Sequence, residues 1–224
     1  MNDDRDDAGT LWLADWRRRV AELYVEVRAL ARVDPLVAWH HWVGVREELF
    51  RTHPQSPVPA GGRAAFRARH FPYDRALRFE VAVEPDTPAA ATPGSVDGDA
   101  TGLLIELPVS AGGSMSFSRI GSLDVPFPAG ARRLALYWMA GYAGGLFLPF
   151  RDATNGAETY GAGRYLLDAA KSADLGGDAE RGSLVLDFNF AFHPSCAFDP
   201  RWACPLAPPE NRLDVALRAG ERLT

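Results

Sequence analysis

The stretch "DFNFAFHPSCAFDPRWACPLAPPENRL", residues 187–213, holds both cysteines of the chain, one of its five histidines and five of its prolines. Two thiolates and an imidazole at His193, Cys196 and Cys204 could supply three zinc ligands. The spacing H-x2-C-x7-C matches no usual zinc pairing, however, and a fourth ligand is missing, so no metal is expected. A disulfide between the two cysteines needs Cα atoms within about 7 Å, which a tight loop of this length permits. A nucleophilic cysteine needs a base, and His193 or His53 would have to serve Cys196. Set against these is a plainer expectation, a proline-braced loop with buried thiols packed by Phe198, Trp202 and Leu206.

A second polar cluster lies upstream. "RDATNGAETYGAGRYL" places Asp152, Thr154, Glu158, Tyr160 and Arg164 around three glycines. If 158–166 is a strand, Glu158, Tyr160 and Arg164 share one face by period-two alternation. Asp187 and Asn189 share a face in the same way on a strand over 183–190. Together these seven residues, Asp152, Thr154, Glu158, Tyr160, Arg164, Asp187 and Asn189, form a candidate ligand site. A guanidinium suits a fork-like grip on carboxylate or phosphate. The competing reading is internal, with Arg164 paired to Asp152 or Asp187. GAGR lacks the G-x-G-x-x-G order, and neither a phosphate loop nor HExxH is present. His40 and His41 fall mid-helix beside Trp39 and Trp42, where core or helix-contact roles are expected.

The elements that would position these groups are legible from periodicity. Leu13, Trp16, Val20, Leu23, Val27 and Leu30 form one apolar helical stripe, with Thr10 as cap and residues 1–9 as a disordered tail. A second helix starts at Asp34-Pro35 and stops before His53-Pro54. From residue 71 the period becomes two. Strands are predicted over 77–83, 103–109, 114–120, 133–139, 146–150, 158–167, 183–190 and 213–219, with a turn-rich loop at 85–100. The fold class is mainly β (α+β): an antiparallel β barrel or sandwich with two N-terminal helices packed on it. The helical segment covers 10–56 and the β domain 57–224, as one compact domain.

Composition bounds the partners. The 224 residues carry a net charge of −5, and 47% are hydrophobic. An acidic chain of this kind predicts no nucleic-acid partner. No apolar run is long enough to span a bilayer, and the start is acidic rather than signal-like. A cytoplasmic protein is expected, in which thiols stay reduced. Lys171 is the only lysine among 24 basic residues, which a coding bias toward arginine explains.

Two long segments resemble a known family. "GGLFLPFRDATNGAETYGAGRYLLDAAKSADLG" and "LVLDFNFAFHPSCAFDPRWACPLAPPENRL", preceded by "REELFRTHPQSPV" and "FPYD", are similar to the DUF1684 family of uncharacterised bacterial and archaeal proteins. The resemblance spans roughly residues 46–222 and implies no activity, cofactor or substrate. Its members commonly carry Asn at the position of His193 and Tyr at that of Phe192. That departure argues against metal or catalytic work for His193.

Function is therefore expected at the level of chemistry alone. The leading expectation is a small polar or anionic metabolite bound in a β-barrel cavity and anchored by Arg164. The alternatives are a hydrolase-like enzyme with Asp187 or Glu158 as base, and an interaction protein that forms a homodimer through its Trp-rich helices. The cofactor is unknown.

Overall fold

Asp34 accepts the Leu36 N–H at 2.9 Å and Pro35 occupies the first turn, so helix α2 (Pro35–Thr52) begins where cap chemistry puts it. In the computed structural model, which describes residues 4–86, 103–141 and 144–223, helix α1 spans Asp4–Ala31. It starts well before the Thr10 cap expected from sequence. Residues 4–9, expected as tail, are helical. Residues 1–3 and most of the expected 85–100 loop lie outside the described residues.

Eight strands follow: β1 (Arg78–Pro85), β2 (Leu103–Pro108), β3 (Ser114–Val125), β4 (Arg132–Met139), β5 (Leu146–Phe150), β6 (Arg164–Asp168), β7 (Gly177–Asp178) and β8 (Ser183–Asp187). They form one antiparallel sheet in the order β6-β5-β4-β3-β1-β8-β7, with β2 also paired to β3. The sheet curls into a half-barrel. Its long strand β3 serves β2 with its first part and β1 with its second. The register against β4 shifts between Arg119 and Gly121. A Cβ at Gly121 would stand 2.5 Å from the Glu84 carbonyl oxygen, so glycine is required where the strands approach most closely.

Alternation along the strands builds two apolar layers. Phe117, Ala135, Tyr137, Phe147 and Tyr165 face the helices, where they meet Val20, Leu23, Val27, Trp39, Trp42 and Phe50. Leu123, Leu134, Leu136, Leu148, Phe150 and Leu166 face the opposite side, against Phe188, Leu213 and Leu217. Both faces of β6 are buried although it ends the sheet. The one-polar, one-apolar face expected for this strand and for β8 is not what the chain forms. Hydrophobic burial on each side, worth about 1.5–3 kcal/mol per large side chain, holds the three layers together.

Three predicted strands are reshaped. Residues 152–162 run as turns, and β6 begins only at Arg164. Beyond Asp187 the chain turns into a 3-10 segment, Phe188–Phe190, for which Asp187 is the cap. The expected strand 213–219 is irregular, and it gives its carbonyls to neighbours instead of to a ladder, Val215 accepting from the Ala153 N–H at 2.9 Å.

Candidate functional site

The seven residues of the predicted site separate into distinct neighbourhoods. Arg164 is fully enclosed. Its guanidinium donates to Asp152 Oδ2 at 2.7 Å, to the Leu217 carbonyl at 2.8 Å, to Glu221 at 3.2 Å and to Ala219. Desolvation lowers its pKa, and Asp152 opposes that shift. Asp152 also accepts from the Thr154 backbone and hydroxyl at 2.8 and 2.5 Å. These three residues form a buried structural knot. Both terminal nitrogens of Arg164, the expected anchor, are taken up by the chain's own groups, and Nε has no hydrogen-bond partner among the described residues. Every good acceptor around it belongs to the chain itself.

Asp187 and Asn189 meet as expected, but inside the protein. Asn189 donates from its side chain to Asp187 Oδ1 at 2.7 Å, and Tyr73 and Arg78 reach Oδ2 at 3.0 and 3.2 Å. Burial raises the Asp187 pKa, with Asn189 and Arg78 opposing. Asn189 also exchanges hydrogen bonds with the Asp74 backbone at 2.8 Å and 2.8 Å, which pins the entry to β1. Glu158 lies apart on the surface, in a two-pronged pair with Arg218 at 2.9 and 2.9 Å. Neither carboxylate lines the cleft described next. The seven residues do not share one neighbourhood, and residues 217–221 cover Arg164.

A cleft opens elsewhere, between the helices and the strap 192–204. It has a volume of about 300 Å³ and is walled by Trp16, Phe50, Phe192 and Trp202, with Cys204 and Ser195 at the strap. Its charged lining side chains are all cationic: Arg17, Arg46 and Lys171. Arg46 stacks over the Phe50 ring at 4.3 Å and the Phe192 ring at 4.9 Å, and its Nε donates to Glu221 at 2.6 Å. Lys171 reaches Asp168 at 2.5 Å and sits 5.1 Å from the Tyr165 ring. The partner carboxylates stand behind the wall. Arg17, on α1, has no ion-pair partner among the described residues.

The buried Glu221 organises the floor. Burial alone would raise its pKa, but Arg46 outweighs that, with His193 and His70 adding, and holds the carboxyl at about 2. Glu221 accepts the His193 backbone N–H at 2.7 Å. His193 Nε2 accepts the Tyr160 N–H at 3.2 Å, while Nδ1 faces Glu221 at 3.8 Å. Burial pushes this imidazole down to about 4. Burial thus favours the neutral ring, and its Nε2 is taken up by the Tyr160 N–H. His53 is likewise occupied, by Asp15 at 3.0 Å and the Gln55 N–H at 3.0 Å. Among the described residues no three His, Cys, Asp or Glu side chains converge as a metal site.

Both thiols are free and buried. The plain expectation of a packed strap holds for their surroundings: Cys196 and Cys204 join the helix-side core with Phe198 and Trp202 against them. Tyr160 belongs here rather than with Arg164, its hydroxyl lying against Cys196.

Residues 66–222 match the model of a protein family of unknown function, DUF1684. The chain belongs to the DUF1684 family. This DUF1684 protein is similar over its full length to the solution NMR structure of the uncharacterised protein from gene locus rrnAC0354 of Haloarcula marismortui. The two are 26% identical with a TM-score of 0.56, covering 100% of this chain and 98% of that one. No curated protein matches it.

The cleft residues of this DUF1684 protein escaped the sequence reading for a simple reason. Arg17 and Arg46 belong to helices whose stripe was read for apolar positions alone. One signal was present: Lys171, the single lysine, stands at the cleft wall, where composition suggested only a coding habit. The tryptophans of α2 are also placed differently from the dimer expectation. Trp39 donates to the Asn189 carbonyl at 2.9 Å and Trp42 to the Tyr24 hydroxyl at 3.2 Å, both facing inward.

Proposed function

We propose that the protein binds a small organic acid, a carboxylate or phosphate group on a flat apolar body, in the cleft between α1, α2 and the strap. The single observation that carries this reading is the pairing of an aromatic wall with a charged lining that is wholly cationic. A cavity near 300 Å³ suits a metabolite rather than a polymer, and concave apolar sites with few polar groups are the usual form of such pockets. Arg17 at the rim, unpaired among the described residues, is the group left to meet the anion. Lys171 and Arg46 reinforce it from positions already ordered by Asp168 and Glu221, so little side-chain entropy is lost on binding. The expectation of an anionic ligand is thus kept, while its site moves from Arg164 to this cleft. Two free thiols support a reducing cytoplasm as the setting. No described helix is long and apolar enough to cross a membrane.

Calorimetric titration with 2-naphthoate and its uncharged partner 2-naphthamide tests the reading. The acid is expected to bind the native protein and to bind Arg17→Ala more weakly, with the amide weak toward both. Equal affinity of acid and amide would remove the electrostatic basis, and binding of the acid unchanged in Arg17→Ala would remove the cleft.

A further inference from the structure

The strap presents its two sulfurs to each other. Cys196 sits in the 3-10 turn Ser195–Ala197, entered through Pro194, and its backbone N–H donates to Cys204 Sγ at 3.3 Å. Cys204 is held from the other side, where its N–H donates to Ser110 Oγ at 3.0 Å and its carbonyl accepts from the Ser110 N–H at 2.9 Å. Two separately braced segments thus hold the thiols together across the eight-residue step. Cys204 forms part of the cleft wall, so a small solute has a path to that thiol, and Cys196 behind it keeps 8% exposure.

We propose that Cys196 and Cys204 form a peroxide-oxidisable dithiol, a modification site whose substrate class is the small hydroperoxide. The Cys196 thiolate attacks one peroxide oxygen, an S–O bond forms, the O–O bond breaks and hydroxide leaves to take a proton from solvent. The Cys204 sulfur then attacks the Cys196 sulfur, the S–O bond breaks, and the departing hydroxide takes the Cys204 proton as water. Two electrons pass from the dithiol to one peroxide, and two waters form from hydrogen peroxide. An organic hydroperoxide gives one water and one alcohol, its alkoxide leaving in place of hydroxide. The environment favours Cys196 as the attacking sulfur. The neighbouring Cys204 thiol lowers its pKa most, burial opposes this, and Ser110 and Tyr160 lower it further. The resulting link closes the strap on itself at the cleft wall, and the site does not depend on the ligand proposed above.

The test uses the full chain, fully reduced and then exposed to equimolar hydrogen peroxide at neutral pH. Intact mass is expected to fall by two hydrogens within one chain while both thiols become untitratable. The reaction should run roughly tenfold faster than in the same protein unfolded by urea. In Cys204→Ser, dimedone should capture a sulfenic acid on Cys196. Persistence of two thiols, oxygen addition without hydrogen loss, or a link between chains would each overturn the proposal. So would equal rates for native and unfolded wild-type protein, a comparison that needs no variant to fold.

Discussion

Arg164 and Asp152 face each other at 2.7 Å with neither side chain exposed. This pair ties β6 to residues 217–221, whose carbonyls take up the two terminal guanidinium nitrogens, while Nε has no hydrogen-bond partner among the described residues. Removing one member leaves an uncompensated charge in the core, which costs about 3–5 kcal/mol. Arg164→Met is therefore expected to lower the free energy of unfolding by that amount in urea titrations. An effect within about 0.5 kcal/mol, the range of an ordinary surface change, would mean that the knot is not structural.

Arg46 and Arg17 line the same cleft but should separate in assay. Arg46→Ala strands the buried Glu221 carboxylate, so a loss of about 3 kcal/mol or more is expected. Arg17→Ala touches an exposed side chain and should stay within about 0.5 kcal/mol of wild type. Chemical denaturation of both variants checks this contrast, and it makes Arg17 the cleaner probe of binding.

Stability should fall between pH 6.5 and 4. Burial lowers the His193 pKa from 6.5 to about 4 and lowers His70 in the same direction. In that window the unfolded chain binds protons that the folded chain refuses, so stability rises with pH across it and is lost as pH falls. The His193 share is roughly 3 kcal/mol at about 1.4 kcal/mol per pKa unit. The Glu221 contribution, from a carboxyl depressed to about 2, is fully present above the usual carboxylate range and fades only below it. His193→Asn should flatten the profile from pH 6.5 to 4.5. An unchanged slope in urea midpoints would assign the effect elsewhere.

Gly163 takes φ +104°, and a Cβ there would lie 2.4 Å from the Phe150 carbonyl oxygen. Gly163→Ala combines left-handed strain with a backbone clash next to Arg164, and a loss of about 2 kcal/mol or more is expected. A melting temperature within a degree or two of wild type would show that the turn relaxes freely.

The sequence reading succeeds where local chemistry decides. Asp34-Pro35 announces α2, and alternation through Phe79, Val81 and Val83 announces β1. The mainly β fold with two N-terminal helices follows from that grammar. It fails where a polar residue's fate depends on a distant segment. Glu158 and Arg164 look alike in a period-two pattern, yet one meets water and the other is roofed by residues 217–221. No local signal separates those outcomes. The cleft is illegible for the same reason, since Arg17, Arg46 and Lys171 come from three elements joined only by packing.

The knot around Arg164 also has a temporal meaning. Its charge is first made at the start of β6, more than fifty residues before the carbonyls of Leu217, Ala219 and Glu221 exist. During synthesis the growing half-barrel would hold a cation with only Asp152 of its four acceptor residues in place. Cooperative closure must wait for residues 217–221 to emerge, and until then the half-barrel's apolar faces are the surface a ribosome-associated holdase would meet.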